Sequence, residues 1–281
     1  MQLKPRRWLL ATLLTFLAAT GLSAAKLPKS LRLYVFDCGV IHTNNVDAYS
    51  LKKEEVGSTE MSIPCFLIVH PKGALMWDNG DIPDSAFPAG GGPAKQGVVT
   101  QDRPLLPQLA AVGFTPADIK YLALSHYHGD HVANANAFAG STWLARQAER
   151  DRMFAAEPVP RSPFANYSAL KDSKTIIVDK DYDVFGDGKV ILVSTPGHTP
   201  GHQSLFLKLA KTGPVVLSGD LYHYPEERSL NRLPVAEFNK DQTAASRAAL
   251  DTFLKKTGAQ LWIQHDILGN AKLKKAPAFY D

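Results

Sequence analysis

The stretch ALSHYHGDH places three histidines and one aspartate within six consecutive positions. Imidazole nitrogens and carboxylate oxygens are common ligands of divalent metals in proteins. In an extended backbone, residues two positions apart point to the same side, so His126 and His128 would present their rings together. Gly129 permits a sharp turn, which would bring Asp130 and His131 to a neighbouring point. Two pairs of ligands at adjacent points suit two metal ions.

Three more candidate ligands follow apolar, strand-like runs further along the chain. His198 lies in the turn sequence TPGHTPGH after VILVS, Asp220 ends the run VVLSGD, and His265 follows QLWIQ. Each of them alone could be a capping or surface residue. Because polar side chains at the ends of neighbouring strands meet at one edge of a sheet, we expect all three to join the first cluster.

The runs that precede these ligands have the composition of β-strands, with Val, Ile, Leu and Phe bounded by Gly, Pro, Asp and Asn. We predict strands at residues 31–37, 63–70, 74–78, 121–124, 175–178, 190–194, 204–209, 215–218 and 260–263. We predict helices at residues 105–112, 131–138, 144–155 and 241–256. The strands come in clusters followed by helices, which indicates two packed sheets with helices outside, a layered α/β arrangement.

The chain contains three long irregular segments but no linker, repeat or low-complexity tract. The segments are residues 40–62, 80–103 and 157–174, and ordered loops of this length usually serve a site. Without a dividing linker, residues 26–281 are predicted to form a single domain.

The first 25 residues differ in composition from the rest of the chain. Lys4, Arg6 and Arg7 precede an apolar run that ends in the small-residue sequence SAA. This order predicts a cleaved secretory signal peptide over residues 1–25, exported by either the Sec or the Tat route, and hence a periplasmic or secreted protein. A retained N-terminal membrane helix is the alternative.

The charge balance argues against a nucleic-acid or membrane-surface role. Three of the 31 Lys and Arg residues lie in the predicted leader, whereas none of the 27 Asp and Glu residues do. The remaining chain is therefore nearly neutral and lacks the basic excess that such partners require. We expect no nucleic-acid partner and no stable membrane anchor after leader cleavage.

The chain has two cysteines, Cys38 and Cys65, each inside an apolar strand-like run. In an exported protein they could form a disulfide bond. A small buried thiol would be equally at home in such a strand. The sequence leaves both interpretations open.

The pattern H-x-H-x-D-H, followed in order by His198, Asp220 and His265, resembles the metallo-β-lactamase superfamily. The resemblance covers residues 31–265. It implies an αβ/βα four-layer sandwich, in which two mixed β-sheets are flanked by helices and a dinuclear metal site lies along one edge.

The resemblance also implies a division of the ligands between two metals. One metal would be held by His126, His128 and His198, the other by Asp130, His131 and His265, and Asp220 would bridge them. Such ligands favour zinc among divalent ions, although iron, cobalt and manganese also occupy nitrogen and oxygen sites. A bridging hydroxide, formed because the metals lower the pKa of water towards about 7, would be the nucleophile. His202, Asp78 and Asp266 are expected to support the site without binding metal.

The sequence resembles the N-acyl-homoserine lactonases more than the secreted zinc β-lactamases, which generally lack an acidic residue at the position of Asp220. The similarity extends to LRLYVFDCG and MSIPCFLIVHPKGALMWDNG. It implies that residues 43–60, between these strands, cover the acyl chain of the substrate. A plain connection is the alternative for this segment.

One position departs from the lactonase pattern. Many lactonases carry a tyrosine three residues after the bridging aspartate, but in SGDLYHYP that residue is His223. A histidine can donate the same hydrogen bond to the substrate, so we assign this role to His223 and the role of proton shuttle to Asp130. The alternative is that His223, Tyr222 and Tyr224 merely line the cavity.

The resemblance thus implies a secreted dinuclear hydrolase that opens the lactone ring of N-acyl-homoserine lactones. Its substrate would be a small-molecule lactone or ester, and a homodimer is compatible with the sequence. The alternatives are another ester or phosphotriester hydrolase, a β-lactamase, or a non-catalytic metal-binding or redox module on the same fold. We expect no flavin-binding domain, which would support the last of these.

Overall fold

Two β-sheets form the centre of the structure, a computed structural model that describes residues 25–281. The signal peptide predicted for residues 1–25 lies outside the described residues except for Ala25. No helix in the described range is both long enough and apolar enough to cross a bilayer.

The described residues form 14 strands and seven α-helices, joined in places by short 3₁₀-helices. The strands are β1 (Arg32–Ile41), β2 (Met61–His70), β3 (Gly73–Trp77), β4 (Ala94–Gln96), β5 (Val99–Gln101), β6 (Ile119–Ala123), β7 (Thr142–Ala145), β8 (Thr175–Ile177), β9 (Tyr182–Asp183), β10 (Val190–Ser194), β11 (Gln203–Leu209), β12 (Gly213–Leu217), β13 (Gln260–Trp262) and β14 (Phe279–Tyr280). The helices are α1 (Leu105–Ala111), α2 (Gly129–Val132), α3 (Gln147–Met153), α4 (Phe164–Tyr167), α5 (Pro225–Ser229), α6 (Lys240–Thr257) and α7 (Ile267–Ala271). The 3₁₀-helices are Val46–Tyr49, Lys53–Glu55, Asp84–Ala86, Pro116–Asp118, Ala135–Phe138, Ser168–Asp172 and Gly219–Leu221.

Both sheets are mixed. In the larger sheet the strand order is β4-β5-β1-β2-β3-β6-β7-β8, and β14 also pairs with β1. The pairs from β3 through β6 and β7 to β8 are parallel, and the others are antiparallel. The smaller sheet has the order β13-β12-β11-β10-β9, in which only β12 and β13 are parallel.

Side chains of β2 alternate between the two faces of the larger sheet. Cys65 and Leu67 belong to the buried cluster that includes α1, whereas Phe66 and Ile68 belong to the cluster between the two sheets. This alternation is the period of two that a strand imposes. Full burial of each large aliphatic or aromatic side chain contributes roughly 1.5–3 kcal/mol, so the two clusters hold the layers together.

The outer face of the smaller sheet is covered by α6. Val216 of β12 packs with Leu250 and Leu254 of this helix in a third cluster. The layers are therefore helix, sheet, sheet and helix. The four-layer sandwich predicted from the sequence is confirmed.

All nine predicted strands are present within a few residues of their expected bounds, but the helix predicted for residues 144–155 begins too early. Leu144 and Ala145 belong to β7, which is inserted between β6 and β8, and α3 starts only at Gln147. Both residues favour helices, and pairing on both sides of the strand overrides that preference.

Several other segments differ from expectation. The helix predicted for residues 131–138 is divided into α2 and a 3₁₀-turn. Of the segments predicted to be irregular, residues 157–174 contain α4, residues 40–62 contain two 3₁₀-turns, and residues 80–103 contain the short β4 and β5 pair. The strands β4 and β5 have three residues each, too few to show a strand period in the sequence.

Cys38 and Cys65 form a disulfide bond that joins the neighbouring strands β1 and β2. The structure thereby decides between the two interpretations that the sequence left open. The bond closes a loop with a sequence separation of 27 residues. Such a cross-link restricts the unfolded chain more than the folded one.

We expect the Cys38→Ser, Cys65→Ser double variant to lose about 3–4 kcal/mol in free energy of unfolding, as the loop-closure relation gives for this loop length. Guanidinium denaturation monitored by tryptophan fluorescence would measure the loss. Adding a reductant should destabilise the wild-type chain and leave the double variant unchanged. Equal denaturation midpoints for the two chains would contradict the prediction.

Candidate metal centre

The candidate ligands follow four strands and converge on one point. His126 follows β6, Asp220 follows β12, His265 follows β13, and His198 lies in the turn between β10 and β11. Gly197 makes this turn possible, since its backbone φ of +137° disfavours any residue with a side chain. The ends of these strands thus bring together candidate ligands that are far apart in the sequence.

All seven predicted ligands belong to two buried groups that share one residue. Within each group the candidate ligand atoms lie within 4.8 Å of one another. The first group contains His126, His128, His198 and Asp220, and the second contains Asp130, His131, His265 and Asp220.

Asp220 faces both groups, one with each carboxylate oxygen. Its Oδ2 lies 3.5 Å from His126 Nε2 and 3.4 Å from His198 Nε2. Its Oδ1 lies 3.1 Å from His131 Nε2 and 3.0 Å from His265 Nε2. This is the arrangement expected of a bridging carboxylate.

The remaining two ligands complete the groups from the HYHGDH segment. His128 turns Nδ1 inward, 2.8 Å from His126 Nε2 and 3.0 Å from His198 Nε2. Asp130 places Oδ2 3.5 Å from His131 Nε2 and 3.4 Å from His265 Nε2. The two histidines and the Asp130–His131 pair therefore lie in separate groups, as the turn at Gly129 predicted.

Several buried atoms of the site lack a hydrogen-bond partner among the described residues. They are His131 Nε2 and both carboxylate oxygens of Asp220. Leaving buried polar atoms unpaired is costly, and a buried carboxylate especially so. Coordination to divalent cations would satisfy all three atoms. The imidazole and carboxylate donors fit two such ions.

The electrostatics favour the protonation state that binds metal at only some of the ligands. Burial and the charge of His131 lower the pKa of His126 well below the ordinary value for histidine. Burial and the charge of His198 do the same for His128. Burial would lower the pKa values of His131 and His198, but neighbouring carboxylates, Asp220 first among them, raise both above the ordinary value for histidine. Burial alone would raise the pKa of Asp220, but the surrounding histidines hold it well below its usual range. Neutral imidazoles and an ionised carboxylate are the ligating forms.

Asp78 contacts a histidine of the second group and belongs to neither group itself, as expected of a supporting residue. Its Oδ2 accepts a hydrogen bond from His131 Nδ1 at 2.9 Å, and its Oδ1 accepts one from the backbone N–H of Ser125 at 2.7 Å. Gln264 also donates its side-chain amide to Asp78 Oδ2 at 2.9 Å. The contact with His131 leaves Nε2 of that ring free to face a metal.

The histidines His202 and His265 have different roles in the site. His202 belongs to neither ligand group; its Nε2 accepts the backbone N–H of Asp220 at 2.9 Å and thereby positions the bridging residue. His265 donates Nδ1–H to the carbonyl oxygen of Ser62 at 2.8 Å, which leaves its Nε2 for the metal. Asp266 caps α7 by accepting the N–H of Gly269 and is structural.

Glu149 is a buried carboxylate that sequence reasoning missed. It accepts hydrogen bonds from the backbone N–H groups of Tyr127 and Gly201, both at 2.8 Å, and from the hydroxyl of Thr199. Burial raises the pKa of Glu149 to about 7, and these hydrogen bonds oppose the rise. Glu149 therefore clamps the two ligand-bearing loops together. A single glutamate in a helix carries no local signal for such contacts, which depend on how α3 packs against the two loops.

His223 lies in the site beside the bridging aspartate. Its Nε2 is 3.2 Å from Asp220 Oδ2, and its Nδ1 is 3.2 Å from Glu227 Oε1. Burial would lower the pKa of His223, but Asp220 and Glu227 raise it to about 10. Arg247 pairs with the other oxygen of Glu227, so a buried chain of charges holds the ring in place.

The two tyrosines that flank His223 point away from the ligands. Tyr222 packs in the cluster with Leu250, under the guanidinium of Arg247. The hydroxyl of Tyr224 donates to the carbonyl oxygen of Thr59 at 2.8 Å. Of the three residues in the YHY sequence, only His223 is directed at Asp220.

The segment 43–60, called here the cover loop, lies against this side of the site. The ring of Tyr49 is 4.6 Å from that of His223 and 5.1 Å from that of Tyr224. Val46 and Leu51 are buried in a small cluster with Tyr224. The cover loop is thus anchored by its own apolar side chains and presents an aromatic ring to His223.

Residues 230–239, called here the strap, form hydrogen bonds both to the cover loop and to the turn that carries His198. The N–H of Val235 donates to the carbonyl oxygen of Ala48 at 2.8 Å. At the other end, the N–H of Phe238 donates to the carbonyl oxygen of His198 at 3.3 Å. The strap also carries Glu237, a second carboxylate in contact with a ligand that the sequence pattern did not reveal.

Comparisons with known proteins agree with this geometry. A family model described as the metallo-beta-lactamase superfamily matches residues 58–260. The N-acyl homoserine lactonase AttM of Azorhizobium caulinodans is 32% identical over 261 residues, covering 89% of this chain and 99% of that protein. A solved N-acyl homoserine lactone hydrolase, with the product N-hexanoyl-L-homoserine at its catalytic metal center, is 25% identical with a TM-score of 0.74, covering 89% of this chain and 99% of that one. The chain therefore belongs to the metallo-beta-lactamase superfamily, and within it resembles the N-acyl homoserine lactonases.

Proposed function

We propose that this protein is a secreted, dinuclear metal-dependent hydrolase that opens the lactone ring of N-acyl-homoserine lactones. The observation that carries the proposal is the position of Asp220, whose two oxygens face two separate groups of ligands. Such a carboxylate suits a pair of adjacent metals. The similarity to lactonases along nearly the whole of their length supports the choice of substrate.

The two ions are proposed to be zinc, because imidazole and carboxylate donors in groups of this size suit it. When bound, two such ions would polarise the lactone carbonyl and lower the pKa of coordinated water to about 7. The remaining tasks fall to side chains of the chain itself: holding the substrate, stabilising charge on its oxygens and transferring a proton.

His223 is the proposed hydrogen-bond donor to the substrate. It lies beside the metal groups, and Glu227 fixes its ring from behind through Nδ1. A donor held in place before the reaction stabilises charge that develops on a carbonyl oxygen as water adds to it. Because Tyr222 and Tyr224 are directed elsewhere, His223 fills the role that a tyrosine has at this position in many lactonases.

Asp130 is the proposed proton shuttle. The side chain of Asp130 is 11% exposed, whereas that of Asp220 is fully buried. When the ester C–O bond breaks, the departing alcohol oxygen needs a proton. The carboxylate of Asp130, at the accessible edge of the site, would take up the proton that water loses as it adds to the carbonyl and pass it to that oxygen.

The cover loop is proposed to hold the acyl chain. Its aromatic residue Tyr49 lies against His223, and its apolar residues are packed on Tyr224. An apolar chain that extends from the lactone past His223 would meet this surface. Acyl-chain preference would then depend on the cover loop more than on the metal ligands.

Export to the periplasm or the medium is proposed from the N-terminal sequence, with residues 1–25 as the leader. The disulfide between Cys38 and Cys65 supports this location, since such bonds persist mainly in oxidising compartments.

A substrate panel would test the proposed reaction. We expect the reconstituted enzyme to release acid from N-acyl-homoserine lactones with a higher kcat/KM than from aryl esters, a phosphotriester or a chromogenic cephalosporin, because the donor and the cover loop lie beside the ligand groups. A metal-stripped sample serves as the control. Turnover of the cephalosporin without turnover of any lactone would refute the assignment.

Replacing the bridging residue would test the dinuclear site. Asp220→Ala should lose at least one bound metal and lower kcat/KM for the lactone more than about 100-fold, since even supporting groups of a metal site contribute 10–100-fold. Metal content is measured by mass spectrometry after dialysis. The exposed Asp151→Asn serves as the control and should retain both metals. Full metal content and activity in Asp220→Ala would show that the dinuclear arrangement is wrong.

Replacing His223 would test the donor. We expect His223→Phe to keep both metals and to lose about 10²–10³ in kcat, the typical effect of removing one donor to a developing oxyanion. His223→Gln, whose amide can still donate, should recover part of the rate. If His223→Phe turns over lactone as fast as the wild type, the ring only lines the cavity.

A further inference from the structure

Glu237 is a buried carboxylate in direct contact with a candidate ligand. Its side chain is fully buried, and its Oε1 lies 3.1 Å from His198 Nδ1. On the opposite side of the same ring, Nε2 faces His128 Nδ1 at 3.0 Å and Asp220 Oδ2 at 3.4 Å. His198 therefore lies between Glu237 and the first ligand group, with one ring nitrogen turned to each.

The carboxylate of Glu237 is itself fixed by α6. The hydroxyl of Thr243, in the first turn of that helix, donates to Glu237 Oε2 at 2.6 Å. Asn239 caps the helix by accepting the N–H of Gln242. Both oxygens of Glu237 are thus engaged, one by His198 and the other by Thr243, so the carboxylate has no freedom to turn.

Close packing holds α6 against the turn that carries His198. A Cβ atom on Gly197 would lie 2.2 Å from the backbone nitrogen of Thr243, so only glycine allows this approach. The N–H of Asn239 donates to the carbonyl oxygen of Gly197 at 2.9 Å. Glu237 therefore reaches His198 from a rigid support rather than from a mobile loop.

We propose that Glu237 is a positioning residue for His198. It holds the proton on Nδ1, directs Nε2 at the metal, and so raises the affinity of the first ligand group for its ion. A carboxylate that accepts the second N–H of a ligand histidine fixes the tautomer and makes the ring a stronger ligand. This inference concerns metal binding and does not depend on which substrate the enzyme hydrolyses.

Each ligand group then contains one histidine whose Nδ1, on the side away from the metal, contacts a carboxylate. In the second group, Asp78 contacts His131 Nδ1 in the same way, at 2.9 Å. Of the other candidate ligands, His126 and His265 have Nδ1 contacts with neutral groups, the hydroxyl of Ser125 and the carbonyl of Ser62. His128 turns its Nδ1 toward the first ligand group itself. Because each group has its own carboxylate, removing the charge of Glu237 should weaken one metal and spare the other.

The test is a metal titration of the full chain with Glu237→Gln. The metal-stripped protein is titrated with Zn²⁺ in competition with a chelator of known affinity. We expect one of the two equivalents to bind 10–100-fold more weakly and the other to change less than about threefold. The matched control is Glu157→Gln, an exposed position, which should leave both affinities unchanged.

A second readout follows the histidine itself. With ¹⁵N-labelled histidine, the Nδ1–H signal of zinc-loaded His198 should shift or broaden in Glu237→Gln and remain in place in Glu157→Gln. If Glu237→Gln folds poorly, Thr243→Val removes only the hydroxyl that holds the carboxylate and should weaken the same equivalent by a smaller factor. Two unchanged affinities with an unchanged His198 signal, or an equal loss at both equivalents, would overturn the proposal.

Discussion

The site depends on one buried carboxylate that serves two groups of imidazoles at once. Asp220 can face both only if the ends of β6, β12 and β13 and the turn after β10 reach the same point. A sandwich of two mixed sheets satisfies this constraint, because the inter-sheet core fixes the distance between strands from different sheets. The two packed sheets therefore hold the strand ends at the distances that a ligand shared by both groups requires.

Gathering these groups in the interior is electrostatically unfavourable without a cation. The site collects buried histidines and carboxylates, and several of their atoms have no hydrogen-bond partner among the described residues. Desolvation of such groups costs several kcal/mol unless strong partners compensate for it. Metal binding and folding of this edge are consequently coupled, and the surrounding carboxylates Asp78, Glu149 and Glu237 keep the ligands in position.

The sequence predicted which candidate ligands come together, and it predicted the residues that support them only in part. His126 to His131 form a local cluster, and the other ligands follow recognisable strands, so pattern and order were sufficient. Glu149 and Glu237 lie in a helix and a strap whose approach to the site depends on tertiary packing, and an isolated glutamate carries no local signal. For a similar reason, the sequence could not decide whether the two cysteines form a disulfide bond. Cys65 is paired in register with Phe36, and Cys38 lies in the register shift between Asp37 and Val40. No periodicity in the sequence reveals such a shift.

The length of the strap is fixed by hydrogen bonds to two different parts of the site. Most of residues 230–239 are exposed, as in a surface loop that tolerates insertions. Yet Val235 is tied to Ala48 in the cover loop, and only three residues later Phe238 is tied to His198. One added residue between these hydrogen bonds would shift either the cover loop or the turn that carries His198. Natural variation in length should therefore fall before Leu233, whose carbonyl accepts the hydroxyl of Ser50, and not after it.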